Sequence, residues 1–246
     1  MKKGLVFLLL YSFSHCTIAM ESAWQFNLET GVAYQTVNDV QIPGDTGTRF
    51  SLVDAIGKGP VPYFRFETKY RINEKHRLRL LIAPLDIEKN GTLNKDVVFD
   101  DGKFSSNENT KYRYKFNSYR LTYAYRVLQK QHWNWDIGFT AKIRDAEITL
   151  TQGSTKSSYP NIGFVPLFHS TLEKKINDSW QAQIDIDAIA SPFGRAIDLG
   201  IFSNYTINKS WKIGAGYRTV EGGADNDKVY TFAWLHYFGL RINYAI

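Results

Sequence analysis

The sequence predicts an all-β protein, a transmembrane antiparallel up-and-down β-barrel of about ten strands, with eight or twelve as the neighbouring even counts. Three observations predict it. Apolar and polar residues alternate with a period of two in segment after segment. No stretch approaches the roughly 20 continuous apolar residues that a spanning helix needs, so strands must do any spanning. Connections between the alternating segments are long and short in turn, as in barrels with tight turns at one end and loops at the other. Aromatic residues make up 15% of the chain and the mean hydropathy is −0.32, which suits strands that are apolar on one face only.

The organisation is a leader over residues 1–19 followed by one barrel over 20–246. Lys2 and Lys3 precede the apolar run Leu5 to Tyr11, and Thr17-Ile18-Ala19 places small residues before a cleavage site after Ala19. This is the pattern of a secretory signal peptide. Cys16 is the one cysteine, and His15 stands where a lipidation site needs a small residue, so the mature chain is expected to be cysteine-free. The net charge of +6 falls to +4 without Lys2 and Lys3, too small an excess to argue for nucleic acid as a partner.

The first expected strand, Ala23 to Val37, sets Trp24, Phe26 and Leu28 against Gln25, Asn27 and Glu29. A polar connection follows over Asn38 to Pro60. Val61 to Ile72 sets Phe64, Phe66 and Tyr70 against Arg65, Glu67, Lys69 and Arg71, and Asn73 to His76 turns the chain back. Arg77 to Ile87 carries Leu78, Leu80 and Ile82 opposite Arg79, before a second long connection over Glu88 to Thr110. Lys111 to Val127 changes phase, with Tyr112, Tyr114 and Phe116 on even positions and Tyr119, Leu121 and Tyr123 on odd ones; a β-bulge at Asn117-Ser118 is the expected cause. Arg113, Arg120 and Arg126 are expected inside. After a turn at Gln129 to His132 comes Trp133, Trp135, Ile137, Phe139, Ala141 and Ile143, opposite Asp136, Lys142 and Arg144, with another phase change before Ile148 and Leu150. Thr151 to Pro160 is read as a third long connection. Ile162 to Leu172 descends and Trp180 to Ala190 climbs, with Asp185 and Asp187 inward. After the turn Ser191 to Gly194, Ile197 to Ile207 carries Asp198; Trp211 to Val220 carries Lys212 and Arg218; Glu221 to Asp227 leads to the closing strand. Trp24, Trp133, Trp180 and Trp211 each begin a strand after a short connection or the leader. With Trp135 they are expected in an aromatic girdle at the membrane interface.

The closing segment, Lys228 to Ile246, alternates throughout: Tyr230, Phe232, Trp234, His236, Phe238, Leu240, Ile242 and Tyr244 against Thr231, Ala233, Gly239, Arg241 and Asn243. A final strand that ends in a hydrophobic residue, with Tyr244 two before Ile246, resembles the assembly signal of bacterial Gram-negative outer-membrane β-barrel proteins. The resemblance covers the whole mature chain. It implies location in the outer membrane, surrounding lipids and lipopolysaccharide, contact of the last strand with barrel-assembly machinery, and a monomer.

The expected interior is charged: Glu29, Arg65, Glu67, Lys69, Arg71, Arg120, Arg126, Asp136, Lys142, Arg144, Asp185, Asp187, Asp198, Arg218 and Arg241. Ionised groups in a narrow lumen are costly unless paired or hydrated. Two functional expectations follow, a structural barrel closed by its own ion pairs, or a narrow pore that favours anions through its basic excess. The alternatives are a surface enzyme and an adhesin working through its loops. Ten-stranded outer-membrane proteases resemble the chain in strand count and pair two Asp at i, i+2 with a His-x-Asp. Asp185-Ile186-Asp187 has the first spacing, but His76, His132, His169 and His236 lack an Asp two residues on. Lipid-A hydrolases resemble it in size, yet adjacent His169 and Ser170 point to opposite faces of a strand. No catalytic residue and no cofactor is therefore expected. Asp100-Asp101-Gly102 offers oxygen ligands without EF-hand spacing, so no metal site is assigned.

Overall fold

The computed structural model describes residues 23–192 and 194–246. The leader over 1–19, with Cys16 and the cleavage site, lies outside the described residues, as does Phe193 of the turn expected at Ser191 to Gly194. The elements run β1 (Trp24–Gln41), β2 (Phe50–Ser51), α1 (Leu52–Ile56), β3 (Val61–Arg71), β4 (His76–Ala83), β5 (Asp86–Thr92), β6 (Val97–Phe99), β7 (Gly102–Phe104), β8 (Asn109–Gln129), β9 (Trp133–Gln152), β10 (Thr155–Lys175), β11 (Trp180–Ser191), β12 (Gly194–Thr206), β13 (Trp211–Asn226) and β14 (Val229–Ala245).

Every pairing is antiparallel, and β14 pairs β1 from Gln25↔Ala245 to Gln41↔Tyr230, which closes the sheet. β4 and β5 are two halves of one wall strand. Both pair β8 in a single register, Ala83↔Ser118 and Asp86↔Lys115, across the interruption at Pro84-Leu85. The wall among the described residues therefore has ten strands, as the alternation predicts. Closure matters physically because an open edge in hydrocarbon would leave backbone groups without partners.

The outward face exposes large apolar side chains on every wall strand, among them Leu28, Phe64, Leu80, Leu121, Phe139, Phe164, Ile184, Ile201, Ile213 and Phe238. Water does not tolerate such a belt, whereas lipid requires it. Four short connections close one end of the barrel. In three of them an Asn side chain holds the chain reversal: Asn73 Oδ1 accepts from the amides of Lys75 and His76, Asn177 Oδ1 from Ser179 and Trp180, and Asn208 Oδ1 from Ser210 and Trp211. The recurring Ile-Asn at 72–73, 176–177 and 207–208 is a repeat that strand alternation does not reveal, and its chemistry is that of the Asx-turn.

At the opposite end the structure corrects the sequence in three places. The expected bulge at Asn117-Ser118 is absent, since β8 and β9 keep one register from Lys111↔Thr151 to Arg126↔Asp136; shifts occur instead between Gln35 and Val37 and between Arg126 and Leu128. The phase changes are real, but the cause is a change of environment. Lower on β8 and β9 the apolar side chains face out, while Tyr112, Tyr114, Ile148 and Leu150 near the loop end point inward and are buried. Outside, at that level, Arg113 bonds Asp86 and Lys115 meets Asp145 and Glu147. Arg113 thus faces outward and not into the lumen. Above the lipid the outer face meets water and the inner face meets packed protein, so the same alternation serves the opposite side.

The second correction concerns the long connections. Thr151 to Pro160 and Glu221 to Asp227 are almost wholly strand, and β9 turns into β10 at Gly153-Ser154, where Gly153 has φ +56°. Third, the segments over 38–60 and 88–110 are not simply solvated. They carry β2, α1 and the β6–β7 hairpin, and Val40, Leu52, Val97, Phe99 and Phe104 bury themselves against Tyr112 and Leu150 to form an apolar core inside the loop end. The shift after Gln35 re-aims β1 so that Asn38 and Val40 point into this core.

Candidate functional site

Below that core the lumen is crossed by a network of ionised side chains from eight of the wall strands, joined by the Thr140 hydroxyl of β9 and the His169 imidazole of β10. Arg218 on β13 lies at its centre. Its Nε and Nη2 donate to the two carboxylate oxygens of Glu29 on β1 at 3.1 Å each, Nη1 to Asp198 on β12 at 2.5 Å, and Nη2 to Asp185 on β11 at 3.0 Å. Arg241 on β14 donates to Glu29 at 2.9 Å and stacks its guanidinium 3.6 Å from the ring centroid of Phe202. Arg65 on β3 and Arg120 on β8 both reach Asp198 Oδ2, at 3.0 and 2.7 Å.

Asp187 on β11 is the second focus. It accepts from Arg79 on β4 and Arg120 at 2.6 Å each, from Thr140 on β9 at 3.1 Å, and lies 2.7 Å from His169 Nδ1 on β10. Glu29, Arg65, Arg79, Arg120, Asp185, Asp187, Asp198, Arg218 and Arg241 are all buried. Burial of so many ions is tolerable only because each carboxylate has several donors. The strands supply these residues because inward positions alternate with lipid-facing ones, and the register sets partners opposite one another, as in Glu29↔Arg241 and His169↔Asp187.

The other expected lumen residues fall at two further levels. Toward the short turns, Arg126 makes a two-point contact with Asp136, Lys69 meets Glu67, and Arg71 lines a cavity of about 50 Å³. Toward the loops, Lys142 and Arg144 lie under a larger cavity of about 560 Å³. Trp24, Trp180 and Trp211 pack against Tyr70, Tyr205 and Tyr244 of neighbouring strands at the short-turn end, with ring centroids 4.5, 5.1 and 4.5 Å apart, the first and last pairs tilted and the second edge-on. Trp133 stands at that end as well, 4.9 Å from Lys174 Nζ, and Trp135 one step further in donates to Ser170 Oγ.

In sequence His169 stands beside Ser170, which points to the opposite face of the strand. The structure sets His169 between Asp187 and Thr171, whose Oγ1 lies 3.1 Å from Nε2. The signal was parity, because Thr171 shares the face of His169. This hydroxyl, imidazole and carboxylate form a line like a hydrolase relay, but all three are buried and Asp187 is already held by two arginines. At the loop end Asp101 accepts from Ser157 Oγ at 2.6 Å, and no group of three His, Cys, Asp or Glu able to hold a metal occurs among the described residues.

No protein-family model and no characterised protein matches the chain in sequence. Solved structures do match. The outer-membrane protease OmpT of Escherichia coli superposes with a TM-score of 0.54 at 8% identity, covering 91% of this chain and 96% of OmpT. The attachment invasion locus protein Ail of Yersinia pestis gives 0.40 at 12%, over 92% and 100%. Neisserial surface protein A gives 0.37 at 12%, over 92% and 99%. The OmpT likeness shows a shared fold, that of the outer-membrane β-barrels.

Proposed function

We propose that this chain is a structural outer-membrane barrel with a sealed lumen, not a through-pore. The observation that carries the reading is Arg218, which ties β1, β11, β12 and β13 together across the interior. A basic excess favours anions only where water passes. Here the arginines at mid-lumen are paired with carboxylates: the spaces among them and toward the short turns are about 10 and 50 Å³, and the 560 Å³ cavity above ends on Arg120, Asp187 and Asp198. A single water needs about 10–15 Å³, so the smaller space holds about one water and the larger a few.

The apolar belt on all ten strands favours a monomer surrounded by lipid and lipopolysaccharide, with assembly through the closing strand β14. Burial of the Thr171, His169 and Asp187 line argues against an enzyme working from the lumen. Liposome swelling tests the reading. Vesicles carrying the folded protein should swell in isotonic small sugars or potassium chloride no faster than empty vesicles, and swelling that scales with protein content would overturn it.

A further inference from the structure

The wall is incomplete on one side. β10 pairs β9 along its whole length, from Thr155↔Gln152 to Lys174↔Trp133, yet it pairs β11 only from Phe168↔Ala188 toward the short turns. Among the described residues Thr155 to Leu167 therefore has one unpaired edge, and the facing β11–β12 hairpin ends at Ser191↔Gly194. Two prolines agree with this. Pro160 and Pro166 have the same parity and sit in a ladder to β9 that never shifts, and a strand accommodates proline where its donor-less nitrogen faces an unpaired edge.

The opening lies at the rim of the apolar belt. Phe164 and Phe168 beside it are 65% and 63% exposed, while Gly163 and Ile162 pair with Arg144 and Asp145, where the outer face of β9 becomes charged. Behind the opening is the 560 Å³ cavity, within the 300–1,000 Å³ range of small-molecule sites. Its walls are largely apolar, with Val165, Leu167, Ile189, Val220 and Leu235 among them.

The charges that meet the cavity are not equivalent. Asp187 and Asp198 are held by arginines of the network, Glu221 by Arg195, and Glu147 by Lys115 and Ser158. Lys142 is different. It is 4% exposed, has no ion pair or hydrogen bond among the described residues, and rests its Nζ 5.0 Å from the ring centroid of Phe116. Arg144 bonds Asn161 through Nη2 at 2.5 Å, leaves Nε without a hydrogen bond among the described residues, and lies over Gly163 at the opening, where a Cβ would come to 3.0 Å from the guanidinium.

A buried lysine with no ion pair or hydrogen bond holds its charge only at a cost, and an anionic ligand would offset that cost. We propose that the cavity binds a single-chain amphiphilic anion of the long-chain carboxylate class, which enters from the surrounding leaflet between β10 and β11. Its carboxylate meets Lys142 and Arg144, and its chain lies along the apolar wall. The proposal does not depend on whether the lumen conducts.

The test uses the full mature barrel in phosphatidylcholine vesicles, with radiolabelled hexadecanoate, its methyl ester and acetate as probes. Hexadecanoate should bind saturably above protein-free vesicles, the ester should bind roughly tenfold or more weakly, and acetate should not compete. Lys142→Met should erase the preference for acid over ester and Lys142→Arg should keep it, while Ile189→Trp, which fills the cavity, should lose both. Wild-type protein that binds hexadecanoate no better than empty vesicles, or acid and ester equally, overturns the proposal even where a variant fails to fold. Competition by acetate as effective as by hexadecanoate would mean a small-anion site and would overturn it as well.

Discussion

Arg218 and Glu29 stand 189 residues apart in the chain and meet inside the barrel through two parallel bonds of 3.1 Å, Nε to one carboxylate oxygen and Nη2 to the other. The contact links the first wall strand to the ninth. It sits where Asp185 and Asp198 also converge on the same guanidinium, so one side chain neutralises charge from three other strands.

Removing that guanidinium should therefore be costly. Arg218→Met leaves three carboxylates near one another without their common partner, and a broken buried pair costs about 3–5 kcal/mol. Thermal unfolding in detergent should show a large drop in midpoint. Arg195→Ala, which removes the exposed arginine of a rim pair with the half-buried Glu221, should cost less, about 1 kcal/mol.

The lipid face makes a second prediction. Phe238 is 52% exposed on the outer belt, whereas Asn243 on the same strand points inward. Phe238→Arg should reduce folding yield into vesicles by the roughly 2–4 kcal/mol that a cation costs near mid-bilayer, and Asn243→Asp should fold nearly as well as wild type. Equal yields would contradict the parity of β14.

Orientation can be read by proteolysis. Lys95 is exposed in the segment between β5 and β6 at the loop end, while Lys75 and Lys209 are exposed in the short turns. Trypsin added to intact cells should cut after Lys95 and spare the other two. The reverse pattern would invert the barrel in its membrane.

One loop contact should depend on pH. Asp96 accepts the backbone amide of Ser106 at 2.7 Å, and this bond holds its carboxyl below the usual aspartate range. A depressed carboxylate stabilises the fold at pH values above its unfolded pKa, and that contribution is lost as pH falls through the lower folded value. The Ser106 amide resonance should stay constant through mildly acidic pH and shift only below the ordinary aspartate range. Asp96→Asn, which keeps the acceptor and removes the titration, should abolish that shift.

Much of the wall was legible in the sequence, because a strand between lipid and a polar interior must alternate, and Leu28, Phe64, Leu121 and Phe238 face outward as their parity predicts. The loop end was not, and the reason is physical. Tyr112, Tyr114, Ile148 and Leu150 continue a β pattern while the outside changes from lipid to water, so apolar parity moves from the outer to the inner face with no bulge at Asn117-Ser118. Alternation reports that one side is apolar and leaves open which side that is. The inward charges were legible as a set, but their partners were not. Arg79 with Asp187, or Arg65 with Asp198, depends on distances across the lumen between strands far apart in sequence. Pro160 and Pro166 carry a signal for the open edge of β10; reading Thr151 to Pro160 as a loop conceals it at Pro160, while Pro166 stands inside the expected strand Ile162 to Leu172.

The central claim is that the network at Arg218 closes the lumen, and planar-bilayer recording tests it most directly. Wild-type protein, shown to be folded, should pass no current above the bare bilayer over a wide range of voltage, while Arg218→Ser with Arg120→Ser, where it folds, should show current. Steady conductance steps from wild-type protein, with a reversal potential on the anion side, would contradict the account.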